Sequence, residues 1–445
     1  MIQGIQGASS LVLDSNENNC YHKTANFLFS GGIVMRAGCL CLFEDELYAN
    51  FLPLTYIRPV FDLRCGIQLI REKLTKRFAE EPTVLFCRRE LENSMKEKAG
   101  YAVNRIEGGA SALFVNGRAL FNEPISPEGD QEAGVRGSTV VYARLTGQNA
   151  RHVTPEMCLD GEFLSYIEEL GIRIIKCETR CIEYPWNLVE FNGSQIEHDY
   201  REYGQSGSEV YEGAHLLNRE RISIGKGSVI KPGAVIDAGN GPVRIDEDVT
   251  VYPLSFIEGP AYIGRGSLIK AGAKIYGGTS IGEVCKVGGE VEKSIIHSYS
   301  NKQHDGYIGL SYVGSWCNLG AGTSTSDLKN NYGTIRMRIR NKVVDTGCMF
   351  LGAVIGDHTK TGINTILNTG SVIGIMVNIF GSHLPPKYIP SFCWASEAGL
   401  KEYRFDKAVE VANRVMMRRA KEVTPALAKL FETIYTQTEK ERQTG

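Results

Sequence analysis

The run A-Y-I-G-R-G-S-L-I-K-A-G-A-K-I-Y-G-G-T-S-I-G-E-V-C-K-V, residues Ala261–Val287, decides the fold. Ile263, Ile269, Ile275, Ile281 and Val287 recur in it every six positions. The same spacing reaches back through Ile257, Val251 and Ile245. An earlier run, Ile224, Ile230 and Ile236, precedes a three-residue slip, and a third holds Ile355, Thr361, Leu367, Ile373 and Ile379. Six is neither the helical period nor that of a simple alternating strand. It predicts a hexapeptide β-helix, a triangular prism in which three short parallel strands make each coil and the aliphatic residues stack inward as ladders. Glycine serves at the corners because it takes positive φ without a steric penalty. A β-sandwich would show turns at irregular spacings of about 8–12 residues, not eight consecutive hits at one period.

The pattern fails between Val287 and Val313, where the frame positions are Lys293, Tyr299, Asp305 and Ser311. That gap holds H-S-Y-S-N-K-Q-H-D-G-Y (His297–Tyr307). It reads as a plain loop or as the functional site, since loops on rigid scaffolds carry function disproportionately. A second break, Asp327–Thr346, contains Ile335, Met337 and Ile339 alternating with Arg336, Arg338 and Arg340. This predicts a ribbon with one cationic face, or an edge that charge protects from pairing.

Outward from the prism the texture changes. Residues 1–35 are rich in Asn, Ser and Gly and read as a disordered extension. Residues 36–200 alternate strand and helix signals: Cys39–Phe43, Thr83–Cys87, Ala112–Val115 and Arg173–Lys176 as strands, Ile67–Phe78 and Phe163–Leu170 as helices. That is an α/β layout. Residues 201–220 are polar and read as a linker, 221–385 as the prism, and 386–445 as a helical tail. In the tail Phe405, Val409, Ala412 and Met416 sit at helical spacing, and Thr424–Pro425 supplies an N-cap followed by proline at the first turn of a second helix.

Composition narrows the classes. The 445 residues include 49 Lys and Arg against 51 Asp and Glu, a balance that argues against a large nucleic-acid surface. No stretch approaches the ~18 apolar residues that a membrane span needs. The start lacks the basic and apolar regions of a signal peptide, so a soluble cytoplasmic protein is expected. The 12 Cys include no C-x-x-C pair; they predict buried reduced thiols, not a metal site.

An α/β domain followed by a hexapeptide prism with this His-bearing break resembles one family. It is similar to the bifunctional N-acetylglucosamine-1-phosphate uridyltransferase/glucosamine-1-phosphate acetyltransferases and their nucleotidyltransferase relatives. The resemblance is strongest in N-K-Q-H-D-G-Y-I-G and S-Y-V-G-S-W-C-N-L-G-A-G-T (Asn301–Thr323). It implies a left-handed prism, a homotrimer, acetyl-CoA as co-substrate and a sugar phosphate as acceptor. It also implies His304 as catalytic base, Glu290 as a carboxylate near the acceptor amine, and Tyr307 and Asn318 as residues that hold the sugar phosphate and the amino sugar. Lys270 takes the place of a phosphate-binding Arg, and Ala321 that of a backbone contact to acetyl-CoA. A family Lys falls on Glu292, with Lys293 adjacent, and the Asn-Tyr-Asp after the motif is altered to Asp327-Leu328-Lys329-Asn330.

The first domain resembles the family less. L-P-L-T-Y-I-R-P-V (Leu52–Val60) matches the later half of the nucleotidyltransferase signature. The Gly-rich loop that should cradle phosphates is E-L-Y-A-N-F (Glu46–Phe51), the signature Lys is Val60, and the metal-binding Asp is Asn116. Weak or altered nucleotidyl transfer is therefore expected, with Mg²⁺ needed only if that domain is active. Arg58, Arg64 and Arg118 are candidates to hold a phosphorylated sugar. The alternatives are a sugar-nucleotide-binding regulatory protein, and a nucleotidyltransferase whose prism only drives oligomerisation. E-Y-P-W-N-L-V-E-F-N-G (Glu183–Gly193) is expected to dock the first domain onto the prism.

Overall fold

The computed structural model describes residues 35–78, 81–121, 125–201 and 208–444. The expected disordered extension thus lies, but for Met35, outside the described residues. The α/β domain is built on a seven-stranded mixed sheet. Within it Cys39–Phe43 runs parallel to Thr83–Phe86 on one side and to Ala112–Asn116 on the other. All five residues of Cys39–Phe43 are buried, as in a strand covered on both faces. Helices Ile70–Arg77 and Phe163–Glu169 and strand Arg173–Lys176 lie where the sequence places them.

A left-handed parallel β-helix follows. Its three faces are ladders of parallel strands. One runs from Glu209–Val210 to Asn301–Lys302, the second from His215–Leu217 to Tyr307–Gly309, and the third from Ile222–Ile224 to Tyr388–Ile389. The inward ladder residues Ile230, Val251, Ile269 and Val287 are fully buried, so each coil hides apolar surface against the next.

Two boundaries differ from those expected. Residues 209–217, placed in the linker 201–220, already pair with the next coil through Glu209↔Val229 and Val235↔His215. Val210 and Leu217 in this first coil stay 38% and 47% exposed, so the inward pattern that marks later coils is missing from the sequence. At the other end the ladders continue through Tyr388–Ile389 and Cys393–Ser396 before the helices Phe405–Met417 and Pro425–Gln437 begin. The His-bearing break is no loop. The strands Glu290–Glu292, Ile295–Ile296, Asn301–Lys302, Tyr307–Gly309 and Tyr312–Val313 continue all three faces. The inward positions become Val291, Ile296, Lys302, Ile308 and Val313 because the coil shortens by one or two residues at some corners. A fixed frame of six then reads polar residues although the stack is unbroken.

The second break is an insertion. Tyr312–Val313 pairs directly with Val354–Ile355, and between them projects an antiparallel hairpin, Arg336–Ile339 with Lys342–Asp345. Met337 and Ile339 are buried and pack, with Ile335, into the same core as Phe51, Leu54, Trp186 and Phe431. The ribbon expected from the alternation is therefore real, and its apolar face joins the prism to the first domain and the C-terminal helices.

Ionic contacts close that junction. Arg58 clasps Asp357 through both guanidinium nitrogens, at 2.5 and 3.2 Å. Arg64 reaches Glu283 at 2.6 Å. The helix Pro185–Tyr200 performs the docking expected of 183–193: Asn192 Nδ2 donates to Gly278 O at 2.8 Å and to Ser280 Oγ at 3.0 Å. Burial alone would raise the Glu283 carboxyl, but the Arg64 guanidinium and the Ser298 hydroxyl bring it down to about 2. A depressed carboxylate stabilises the fold above its unfolded value and loses that contribution as pH falls through the folded one. Glu283→Gln should therefore cost stability at pH 7 and much less near pH 2. Equal losses at both pH values in denaturant titrations would contradict this.

Candidate functional site

Most of the residues singled out in the prism share one edge and one face across successive coils. Strand pairing sets Lys274 beside Glu290 and Glu290 beside Tyr307. Lys270 occupies the same corner one coil below Gly288, and a Cβ at Gly288 would meet Lys270 Cβ at 3.1 Å and Gln303 O at 2.5 Å. Gly289, at φ +66°, would press a Cβ to 2.8 Å from His304 O. The Gly288–Gly289 pair thus lets the His304 turn lie directly on the coil below it. One coil above, Gly322 N donates to Asp305 O at 2.8 Å, which brings Ala321–Gly322 against the same turn. Lys270, Glu290, His304, Tyr307 and Ala321 therefore form one column.

His304 is exposed and its imidazole makes no hydrogen bond to the described residues. Its carbonyl is held from inside the prism: Lys302 Nζ donates to His304 O at 2.7 Å. Lys302 is 2% exposed at a position where other coils carry isoleucine or valine. Burial pushes its ammonium down to about 8, against the pull of Asp305. The sequence reading missed this residue; an inward frame allowed to slip by a residue would have found it.

Glu290 is half-buried, with Lys274 Nζ 3.6 Å from its carboxylate. The Tyr307 hydroxyl lies 2.7 Å from Asp327 Oδ2 and 3.1 Å from Glu292 Oε2. Burial first, then the two carboxylates, push the phenol far above its ordinary value, so it remains a neutral donor. Glu292 and Asp327 lie at two of the places where this sequence departs from the family's pattern. Lys293 stands exposed at the opposite edge of this face, at φ +42°. Glu290, Glu292, Lys293 and Tyr276 share there a groove of about 790 Å³ with Glu190 and Glu197 of the docking helix. Asn318 is exposed on the neighbouring face, bridged to Asn301 and Lys360.

Arg58 is not brought to this site. It is buried in the junction, with Asp357, Ser315 Oγ at 3.2 Å and Leu54 O at 3.2 Å as its partners. Arg64 and Arg118 are likewise buried and paired. The reason is visible at the strand ends of the first domain, where ligands of open α/β sheets normally bind. Asp45 receives Arg118 Nε at 2.7 Å on one oxygen and Asn116 Nδ2 at 2.8 Å on the other. Glu44 receives Val60 N at 2.8 Å and Arg88 Nη1 at 3.0 Å. Phe51, Leu54 and Thr55 of the signature stretch are fully buried. Both carboxylates that could face a divalent ion are already saturated by cations and amides, so the donor set does not fit Mg²⁺. Among the described residues no cluster of three His, Cys, Asp or Glu side chains is placed to hold a metal. The described cysteines are unpaired and mostly buried.

Residues 40–206 match the sequence model of the sugar nucleotidyl transferase family. Among curated proteins, the bifunctional protein GlmU of Rippkaea orientalis is 31% identical over 150 residues, 33% of this chain and 28% of that protein. A bifunctional sugar-1-phosphate nucleotidylyltransferase/acetyltransferase of Sulfurisphaera tokodaii is 35% identical over 142 residues, 32% of this chain and 35% of that one. The matches span about a third of those relatives' lengths. A solved structure of the UDP-N-acetylglucosamine acyltransferase of Francisella novicida aligns at TM-score 0.27 and 14% identity, covering 52% of this chain and 85% of that one. The resemblance seen in the sequence thus has two counterparts: the sugar nucleotidyl transferase model over residues 40–206, and relatives, matched over about a third of this chain, whose names carry both activities. No described helix is long and apolar enough to cross a membrane.

Proposed function

We propose that the chain transfers the acetyl group of acetyl-CoA to the amine of an amino-sugar phosphate of the glucosamine-1-phosphate type. The observation that carries this reading is the column Lys270–Glu290–His304–Tyr307–Ala321 on adjacent coils. The acceptor's neutral amine attacks the thioester carbonyl. His304 takes the amine proton as the C–N bond forms, a role suited to imidazole. The tetrahedral intermediate expels the thiolate, which recovers that proton as the free thiol. Glu290 orients the amine and offsets the imidazolium, Tyr307 and Asn318 hold the sugar phosphate and the amino sugar, and Lys270 and Lys293, from the two edges of the face, offset the phosphate's charge. Backbone at Ala321 meets acetyl-CoA. A homotrimer, in which a neighbouring prism completes the acetyl-CoA site, belongs to this reading, as does a cytoplasmic location.

The test is thiol release from acetyl-CoA with glucosamine-1-phosphate and with other amino sugars. Release that depends on the acceptor supports the reading; none with any acceptor removes it.

The match over 40–206 favours a second reading, nucleotidyl transfer by the first domain. The saturated strand ends weigh against it, since each lost preorganised charge-stabilising donor costs about 10²–10³-fold in rate. Pyrophosphate release from nucleoside triphosphate, Mg²⁺ and sugar-1-phosphate should fall at least about 10²-fold below acetyl transfer. Comparable rates would restore the first domain as an enzyme.

A further inference from the structure

A cavity of about 410 Å³ lies where the first domain, the prism and the C-terminal helices meet. It is separate from the column of His304 and shares no residue with it. Its size is that of a small-molecule pocket, and such pockets favour domain interfaces. One wall is aromatic. Tyr299 and Trp316 stack at 4.2 Å and 7°, and His358 lies nearly parallel beyond Trp316 at 6.1 Å. These three residues occupy the same corner of successive coils, at φ +65°, +62° and +59°. Other coils place smaller residues there, Gly227, Asp248, Gly266 and Val284, so the aromatic stack belongs to these three coils. Met416 and Leu427 of the C-terminal segment and Ile57 of the first domain complete the apolar lining.

The opposite wall is charged, and its acids are engaged. Asp62 pairs with Arg71 at 2.6 Å, Asp357 with Arg58, and Glu97 accepts from the Thr424 hydroxyl at 2.6 Å. Glu422 and Lys421 are exposed at the rim. Lys98 is different. It makes no hydrogen bond and no ion pair among the described residues, and its side chain keeps an exposed surface although protein crowds around it. That is the condition of a cation projecting into a cavity. Desolvation first, then Arg58, lowers its ammonium's pKa, against the smaller opposing pull of Asp62, Asp357 and Glu97. On the prism side both ring nitrogens of His358 are buried without a partner.

We propose that this junction cavity binds a small planar aromatic anion of nucleotide size. Its ring lies against the Tyr299–Trp316 wall, where aromatic contact adds to burial. Its anionic group meets Lys98, with Arg58 behind it. Because three segments line the cavity, the ligand would also fasten the C-terminal helices to the first domain.

Calorimetric titration of the full chain with AMP and UMP, and with adenosine and ribose 5-phosphate as half-ligands, tests this. A saturable site for a nucleoside monophosphate is expected, with each half-ligand about tenfold weaker or more. Lys98→Met, a side chain already exposed and unpaired, should weaken the nucleotide about tenfold. Trp316→Leu should weaken it as well, while His304→Ala should leave it unchanged. The proposal is overturned if neither nucleotide saturates. It is also overturned if Lys98→Met leaves binding intact, or if His304→Ala weakens the nucleotide as much as Trp316→Leu does, which would place it on the prism edge.

Discussion

Replacing His304 by alanine should lower acetyl-CoA-dependent thiol release about 10²–10⁴-fold, the contribution of a positioned general base. The size of the effect follows from what the side chain does not do. It is exposed, with no hydrogen bond to the described residues, so its removal leaves folding and stability unchanged. The main chain beneath it is fixed from two sides, by Lys302 Nζ on its carbonyl and by Gly289 below. The variant should therefore lose rate with little change in KM for either substrate, because the amine must still be held. Lys302→Met separates position from chemistry. It removes a buried ammonium and leaves the imidazole, so its loss of rate should be smaller and joined by a changed pH profile. If His304→Ala retains wild-type turnover under saturating acceptor, the imidazole is not the base and the column serves binding alone.

Arg58→Ala should lower the unfolding free energy by about 3–5 kcal/mol, the cost of stranding one partner of a buried ion pair. Both partners are out of water: Arg58 is 7% exposed and Asp357 fully buried. Asp357 also accepts Ser315 N at 2.7 Å, and the neighbouring His297 takes Ser298 N at 2.9 Å on Nδ1 and reaches Asp62 O at 3.2 Å through Nε2. Desolvation first, and then the nearby Arg58 and Arg64, keep His297 well below its ordinary value. It is therefore neutral, with the proton on Nε2. Losing Arg58 leaves a carboxylate with one amide donor in an apolar junction. Denaturant unfolding of Arg58→Ala and of the double variant Arg58→Met/Asp357→Leu distinguishes the causes. The double variant should recover much of the loss, since apolar replacement of a buried pair is often neutral. A single variant within about 0.5 kcal/mol of wild type, as at ordinary surface positions, would show that the junction does not depend on this pair.

The prism was legible because its rule is local and repeated. Each of Ile355, Thr361, Leu367, Ile373 and Ile379 ends a strand where the period of six sets it. Thr424 caps its helix by accepting Leu427 N, as Thr-Pro at a helix start suggests. The misreadings share one cause, that neighbours outside the segment decided the outcome. Corner shortening between Val287 and Val313 depends on how two coils stack, and it made a continuous wall look like a loop. Arg58, Arg64 and Arg118 look like phosphate ligands by residue type. Their partners Asp357, Glu283 and Asp45 are named by tertiary contact, and two of these lie in another domain. The column around His304 was found through resemblance; spacing alone left it open.

The junction has a consequence for how the chain comes into being. Arg58 and Asp357 are 299 positions apart, and Arg64 and Glu283 219. At a synthesis rate of about 5–20 residues per second, Asp357 leaves the ribosome roughly 15–60 s after Arg58. Throughout that interval the nascent first domain has its guanidinium groups and the apolar flank of Phe51, Leu54 and Ile57 turned toward a wall that has not yet been made. Chaperone occupancy should peak in this window and collapse once the coil bearing Asp357 closes. Ribosome-stalled chains with residue 357 still enclosed by the ribosome and with it fully emerged would differ sharply in protease resistance over residues 46–64.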